Sequence, residues 1–365
     1  MQMTYQFRLY PTPEQEQKMN RTLALCRQLY NSAKEQREMA YKQQGKAIFY
    51  SMQQNELPKL KQECPEYKEV HSQVLQDCLQ RVDDAYSRFF RGEAGYPRYK
   101  SIDHYNSFTY TQPRAVQKTF SKEGYVYLSK IGFVKMKPHR DFDQTHVTQM
   151  NIKRYQDQWV VNISVKIEET ETMALLSSVK NAIGIDVGLQ SFAALSNETL
   201  VDNPRYLRKA EKRLARDQRR LSRKQKGSKN REKAKRKVAK THRKVARQRK
   251  DFLHKQSHRI VRDLDFIAVE KLQVKKMLKN RKLSKSISDA GWRRFITFLT
   301  YKAERQGKRF VKVPAYGTSQ TCLCGNPVSK TLSVRLHHCS SCGLIMDRDI
   351  MSAKVILQRA LCMIA

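Results

Sequence analysis

The stretch Ala182-Ile183-Gly184-Ile185-Asp186-Val187-Gly188, followed by Phe192-Ala193-Ala194-Leu195, decides how the second half of the chain folds. It reads as an apolar strand, a turn and a second strand, and runs this continuously apolar belong to sheets covered on both faces. The pattern returns at Asp265-Phe266-Ile267-Ala268-Val269-Glu270 and at Arg309-Phe310-Val311-Lys312-Val313, so an α/β unit is expected to start at Asn181. Asp186 sits inside the first apolar stretch, where an unpaired charge is costly to bury, and it calls for a cation. Glu270 closes its strand in the same way, while Asp347 and Asp349 precede a helical run from Ile350 to Leu361. Taken singly, each acid reads as well as a strand-end partner of Lys or Arg, or as the cap of the last helix. Together, two strand acids and one helix-start acid suit a pair of hard divalent cations, one activating water and one stabilising the leaving oxygen of a phosphodiester. Mg²⁺ is the natural occupant because it takes few protein ligands and keeps its waters.

Charge points the same way. The chain carries 72 Lys and Arg against 34 Asp and Glu, a net +38 over 365 residues, and such an excess needs a polyanion to neutralise it. A membrane surface is the competing partner, but there is no apolar run of about 18 residues to span one. Met1 to Tyr10, with Tyr5, Phe7 and Leu9 alternating against polar neighbours, reads as a strand and not as a signal peptide. Half of the excess lies between the first two sheet segments and their return: Arg208 to Lys250 holds 22 Lys or Arg and three acids, a net +19. Leu207, Leu214 and Leu221, then Val238, Val245 and Phe252, recur at heptad spacing, and Lys226-Gly227-Ser228-Lys229-Asn230 breaks the register between them. The segment 204–262 therefore reads as an antiparallel helical hairpin with basic flanks. Arg213, Arg216, Arg220, Lys224, Lys229, Arg236 and Arg243 are its candidate phosphate contacts, which position nucleic acid without reading its sequence. The plainer reading is a solvated charged face.

At the other end, Thr12, Pro13 and Gln15 have the pattern of an N-cap, first helical position and capping-box partner. Helices are expected to continue to about Phe90, with Cys26 on the core stripe Met19, Leu23, Cys26, Tyr30. After Gly95-Tyr96-Pro97 come short strands, Phe108 to Thr111 and Tyr125 to Leu128, and a hairpin from Val147 to Lys153 and Trp159 to Ile167 with Val161, Ile163, Val165 and Ile167 on one face. The whole suggests a small β-barrel with a helical block inserted in it.

Four of the eight cysteines lie within 21 residues, as Cys322-Leu323-Cys324-Gly325 and Cys339-Ser340-Ser341-Cys342-Gly343, and could converge tetrahedrally on a structural Zn²⁺. The second pair has ordinary knuckle spacing. The first is one residue short, which leaves His337 or His338 as a substitute ligand.

Several of these segments resemble, in order, the motifs of the TnpB family, RNA-guided nucleases of bacterial insertion sequences similar to compact type V CRISPR effectors. They are Gly184-Ile185-Asp186-Val187-Gly188, Ala268-Val269-Glu270-Lys271-Leu272, Ser286-Ile287-Ser288-Asp289-Ala290-Gly291-Trp292, Thr318-Ser319-Gln320-Thr321-Cys322 and Asp347-Arg348-Asp349. Phe7-Arg8-Leu9-Tyr10-Pro11 and Gly95-Tyr96-Pro97-Arg98-Tyr99-Lys100 extend the match to the N-terminus. The resemblance implies an α+β multidomain protein. A wedge-like β-barrel (1–11 and 91–175) would carry an inserted helical recognition domain (12–90). An RNase H-like RuvC domain (181–317 and 345–365) would carry an inserted zinc ribbon (318–344). It further implies that Asp186, Glu270 and Asp349, and not Asp347, hold two Mg²⁺. The implied partners are a guide RNA and double-stranded target DNA cut next to a short motif, with a monomer on one RNA in the prokaryotic cytoplasm, at the nucleoid when bound to DNA. Met351 and Val355 stand where the family usually has Asn.

For the target motif, Tyr50-Ser51-Met52-Gln53-Gln54-Asn55 and helical Gln73, Gln76 and Gln80 are candidates, Tyr50, Gln54 and Gln76 foremost, since Gln pairs bidentately with adenine. Ordinary helix surface is the alternative. Two other functions compete: guided DNA binding without cleavage, which Met351 leaves open, and a strand transposase or resolvase using the same acids without RNA.

Overall fold

The structure, a computed structural model, describes residues 2–113, 119–155, 158–167, 181–331 and 334–364. The chain divides into two compact units, Met1–Glu168 and Glu169–Ala365. The end at 175 expected for the first β-rich block falls outside the described residues.

In the first unit the alternation at the N-terminus produces β1 (Gln2–Tyr10), which buries Tyr5, Phe7 and Leu9. Thr12 then caps α1 (Pro13–Gln44) with the full capping box: its hydroxyl accepts from Gln15 N, and the Gln15 side chain accepts from Thr12 N. Met19, Leu23, Cys26 and Tyr30 are all buried, as a stripe at three- and four-residue spacing requires. Short helices α2 (Tyr50–Asn55) and α3 (Leu57–Glu63) lead to α4 (Ser72–Phe90), whose Leu75, Cys78 and Leu79 join the same core.

The strands β2 (Ser107–Tyr110), β3 (Tyr125–Leu128), β4 (Gly132–Lys137), β5 (Val147–Tyr155) and β6 (Gln158–Lys166) complete one sheet of order β2-β5-β6-β1-β4-β3. All pairings in it are antiparallel. Here the expectation of a barrel needs correction. Among the described residues β2 and β3 exchange no ladder bonds, so the sheet is open, a half-barrel, with the Tyr110 hydroxyl at the end of β2 donating to Ser129 O just past β3 at 2.9 Å. The β5–β6 hairpin buries Val161, Ile163 and Val165 as expected, but Ile167 lies past the end of the strand and is half-buried.

The second unit contains β7 (Ala182–Val187), β8 (Ser191–Leu195), β9 (Leu200–Asp202), β10 (Phe266–Glu270) and β11 (Arg309–Val313), in the order β11-β10-β7-β8-β9. The β7–β10 and β10–β11 pairs are parallel and β7–β8 and β8–β9 antiparallel. The helical hairpin is α5 (Tyr206–Ser222) and α6 (Lys229–Arg262), with Ser228 capping α6 inside the segment that breaks the heptads. After α7 (Val274–Met277), α8 (Ser284–Ala290) and α9 (Trp292–Arg305) come the two-stranded β12 (Leu336–His338) and β13 (Ile345–Asp347), then α10 (Arg348–Cys362).

Both faces of the five-stranded sheet are covered, which explains its uninterrupted apolar strands. Ile183, Ile185, Ile267 and Val269 pack with Leu253 and Val261 of α6 and Phe295 and Leu299 of α9. Their neighbours Phe266 and Ala268 face Ile356 and Ala360 of α10. Gly184 lets α10 approach: a Cβ there would overlap the carbonyl of Ala353 and lie 2.8 Å from Leu357 N and 2.9 Å from Leu357 Cβ.

Candidate functional site

Side chains alternate along a strand, so Gly184 and Asp186 point to the face that α10 covers. Parallel pairing matches Val269 with Ile185, which puts Glu270 beside Asp186 on that same face. Asp349 arrives from the first turn of α10, and its Oδ2 would lie 3.9 Å from a Cβ built on Gly188, just past the end of β7. The three acids of the sequence reading therefore converge.

Electrostatics shows what the cluster lacks. Burial, then the charges of Glu270 and Asp349, push Asp186 well above the usual carboxylate range. Glu270 is raised by burial, against a hydrogen bond from the Thr318 hydroxyl and the charge of Arg359. Asp349 is raised by burial too, with Arg335 NH1 at 3.6 Å from its Oδ2 opposing. Carboxyls crowded together and pushed up in this way are short of positive charge, and a hard divalent cation is what their oxygens fit.

Asp347 and Asp349 part ways in the structure. Asp347 is the N-cap of α10, its Oδ1 accepting from Asp349 N at 2.8 Å and Ile350 N at 3.1 Å, whereas Asp349 faces the acids. Two residues on, about 200° round the helix, Met351 faces away. It is 1% exposed, in an apolar cluster with Val355, Cys322 and Cys339. The two departures from the family pattern thus sit together under the cysteines and not among the acids.

The four cysteine sulfurs lie within 4.8 Å of one another, with Cys322–Cys342 at 3.6 Å and Cys324–Cys339 at 3.7 Å. Four thiolates about 2.3 Å from a tetrahedral zinc would stand about 3.8 Å apart, so this donor set fits the ion. The short gap of the first pair closes because Gly325 adopts φ 89°, in the left-handed region, and returns its N–H to Cys322 O at 3.0 Å. Without an ion the thiols are split: the backbone N–H of Cys342 and that of Ser341 hold Cys339 down at about 6, while burial pushes Cys322 up to about 12, so a metal binding all four would have to displace the proton that Cys322 keeps. His337 is buried with its Nδ1 against Lys330 Nζ, and His338 is exposed, so neither is needed to complete the set.

The hairpin arginines and lysines follow the reading only in part. Arg213, Arg216, Arg220, Lys224, Lys229 and Arg236 are exposed and Arg243 is half-buried. Unforeseen between them is Asp217, buried at the α5–α6 seam with Thr241 Oγ1 donating to it at 3.3 Å. Of the target-motif candidates, Tyr50 packs against the first unit's core, while Gln54 and Gln76 are half-exposed. Their neighbour Gln53 is buried and spent on Arg37 Nε at 2.9 Å and Ala33 O at 2.8 Å. Gln73 meets Gln112, and Gln80 donates to Asp84. Thr318 was legible only as part of a motif without a role, and Arg335 carried no sequence signal.

Comparison with known proteins gives three family matches: a model described as a probable transposase, OrfB of IS605, over residues 162–281; a Cas12f1-like TNB domain over 292–356; and an OrfB helix-turn-helix domain over 1–46. Residues of the last match form a strand and one 32-residue helix. A Streptomyces pristinaespiralis protein provisionally named RNA-guided DNA endonuclease is 34% identical, covering 98% of this chain and 89% of its own. Escherichia coli K12 InsQ, given the same provisional description, is 29% identical over 97% of this chain and 91% of its own. A solved structure of the mini-RNA-guided endonuclease CRISPR-Cas phi3 superposes with a TM-score of 0.48 at 10% identity, covering 99% of this chain and 92% of that one.

Proposed function

The chain belongs to the TnpB family, and from that premise we propose that it is an RNA-guided DNA endonuclease, hydrolysing target DNA next to a short motif through a RuvC-type centre. The observation that carries the proposal is the meeting of Asp186, Glu270 and Asp349 on one face of the β7–β10 pair under the start of α10. Two Mg²⁺ held there would supply activation of the attacking water and stabilisation of the leaving oxygen. The chain's own residues do the rest. The acids, whose proton affinity is raised, would hold the cations as carboxylates, the Thr318 hydroxyl fixes one oxygen of Glu270, and exposed hairpin cations would position phosphates. The topology of the second unit supports an RNase H-like RuvC domain, with 318–344 as a ribbon around Zn²⁺. The first unit we read as a wedge of strands with a helical recognition block, Gln54 and Gln76 being the candidates left for the target motif. The partners proposed are one guide RNA and double-stranded DNA. No helix among the described residues is long and apolar enough to cross a membrane.

Guided binding without cleavage would need Met351 and Val355 to spoil the acid cluster, and neither faces it. The test is to purify the protein, sequence the RNA that accompanies it, and assay Mg²⁺-dependent cutting of matched and unmatched plasmids before and after ribonuclease treatment. Cutting only of the matched plasmid, lost with the RNA, is expected. Cutting indifferent to the RNA would overturn guidance and favour a transposase or resolvase chemistry.

A further inference from the structure

Helix α10 carries Asp349 in its first turn and, about 15 Å further along its axis, Arg359. Arg359 is half-buried, and its guanidinium hydrogen-bonds to the turn that leads from β11 into the cysteine ribbon. NH1 donates to Tyr316 O at 2.5 Å and NH2 to Thr321 Oγ1 at 3.2 Å. The Thr321 hydroxyl donates onward to Gly317 O at 2.7 Å, and Gly317 supplies a φ of 71°, in the left-handed region. One side chain thus grips both ends of the turn from Tyr316 to Thr321.

Inside that turn sits Thr318, 2% exposed, whose hydroxyl donates to Glu270 Oε1. The hydroxyl has one proton and a second acceptor in reach, Ala315 O at 3.3 Å, so the placement of the turn decides which oxygen it serves. A guanidinium suits this task because its rigid fork meets two acceptors at once, whereas a lysine offers a point charge on a flexible stem. Helix α10 therefore reaches two of the three acids: Asp349 by carrying it, and Glu270 through Arg359 and Thr318.

We propose that Arg359 is a positioning residue of the carboxylate centre. By clamping Tyr316 O and Thr321 Oγ1 it holds the Thr318 hydroxyl on Glu270, and so keeps that carboxylate in the orientation in which it takes up a divalent cation. The proposal rests on the nuclease reading, which makes Glu270 a metal ligand. Partners one step behind a metal ligand typically set about 10- to 100-fold of metal affinity. Arg359 acts one step further back and belongs at the lower end of that range.

The test is a double-mutant cycle on the full chain, read without DNA as the Mn²⁺ concentration that gives half of the metal-induced rise in thermal midpoint. Glu270→Gln, which should lose the rise, ties it to the acids. Arg359→Gln is expected to need about tenfold more Mn²⁺, and Arg359→Lys, which keeps the charge but not the fork, nearly as much. Thr321→Val leaves the arginine in place and removes one of its acceptors; it should shift the Mn²⁺ need in the same direction, which covers the case of an Arg359 variant that folds poorly. Arg359→Gln combined with Thr318→Val should bind no more weakly than Thr318→Val alone, within about twofold, because both act through one hydroxyl. Gln358→Ala, whose side chain meets Leu323 O of the ribbon at 3.3 Å and not the turn, should match wild type. Wild-type affinity in Arg359→Gln, full rescue by lysine, or losses that multiply in the double variant overturn the proposal. So does loss of zinc from Arg359→Gln, since the effect would then run through the cysteines, and so does a wild-type rise that is absent or survives in Glu270→Gln. Cutting of a guide-matched duplex by the same proteins separates this proposal from the reading beneath it. If Mn²⁺ binding follows the cycle but wild type cuts nothing, the nuclease reading fails and the positioning stands. If wild type cuts and Arg359→Gln equals it in Mn²⁺ need and in rate, the positioning fails and the nuclease reading stands.

Discussion

Replacing Gly184 with Ala tests how closely the acid cluster depends on one helix contact. The added Cβ would overlap the Ala353 carbonyl and press on Leu357 N and Cβ at 2.8 and 2.9 Å, where carbon atoms prefer about 3.5–4.0 Å. The carbonyl and the N–H are helix backbone and cannot swing aside, so α10 must retreat from β7 by about 1 Å. Overpacking of this kind costs about 1–3 kcal/mol of stability. The larger effect is on function, because Asp349 rides on the first turn of the same helix. Moving one ligand by about 1 Å relative to Asp186 is expected to lower the rate by about a hundredfold. The assay is single-turnover cleavage of a matched duplex at saturating Mg²⁺, beside denaturant unfolding of the same preparation. A variant that loses 1–3 kcal/mol yet cuts within threefold of wild type would refute the idea that the β7–α10 contact sets the position of Asp349.

Three further outcomes are expected. Thr318→Val removes the hydroxyl that orients Glu270, a hydrogen bond to a charge worth about 1.5–3 kcal/mol. Cleavage should fall by about 10- to 100-fold and need more Mg²⁺, Thr318→Ser should restore it, and equal activity of the Val variant would count against the role. Asp186, Glu270 and Asp349 all titrate above their ordinary values of 3.8 for Asp and 4.5 for Glu, so the folded chain keeps protons that the unfolded chain has released. Metal-free stability should therefore fall as pH rises above those ordinary values, and Mg²⁺ should restore it. Asp186→Asn should flatten the profile in urea unfolding between pH 5 and 8, and a wild-type profile identical to that variant's would be wrong for this account. Lastly, purified protein should hold about one zinc per chain, as four thiolates can bind. Cys339→Ser should lose it and uncover Met351 and Val355, and metal analysis with proteolysis near residue 330 reads both.

The sheet of the second unit was legible because strands buried on both faces leave continuous apolar runs, and the hairpin because heptads stop and restart around Lys226 to Asn230. The cysteine site was readable from spacing despite its short first gap, since a glycine follows each pair. Closure of the first sheet was not legible. It turns on whether β2 and β3 pair, a contact between the two edge strands, with four strands between them in the sheet order, that no local pattern encodes. Asp347 and Asp349 look alike in sequence, and only the capping bonds separate them; the family resemblance had to choose. Gln53 looked like helix surface because an amide gives no sign of being buried until its partners, Arg37 and Ala33, are known. The approach of Thr318 to Glu270 is a product of tertiary structure, beyond the reach of periodicity.

The most direct test of the central claim replaces each acid by its amide. Asp186→Asn, Glu270→Gln and Asp349→Asn should each abolish Mg²⁺-dependent cutting of a guide-matched duplex by at least about a hundredfold while target binding persists. Asp347→Asn, which keeps a capping side chain on α10, should cut at close to the wild-type rate. Retained cutting in the Asp186 variant, or loss in the Asp347 variant equal to that in Asp349, would contradict the assignment of the centre.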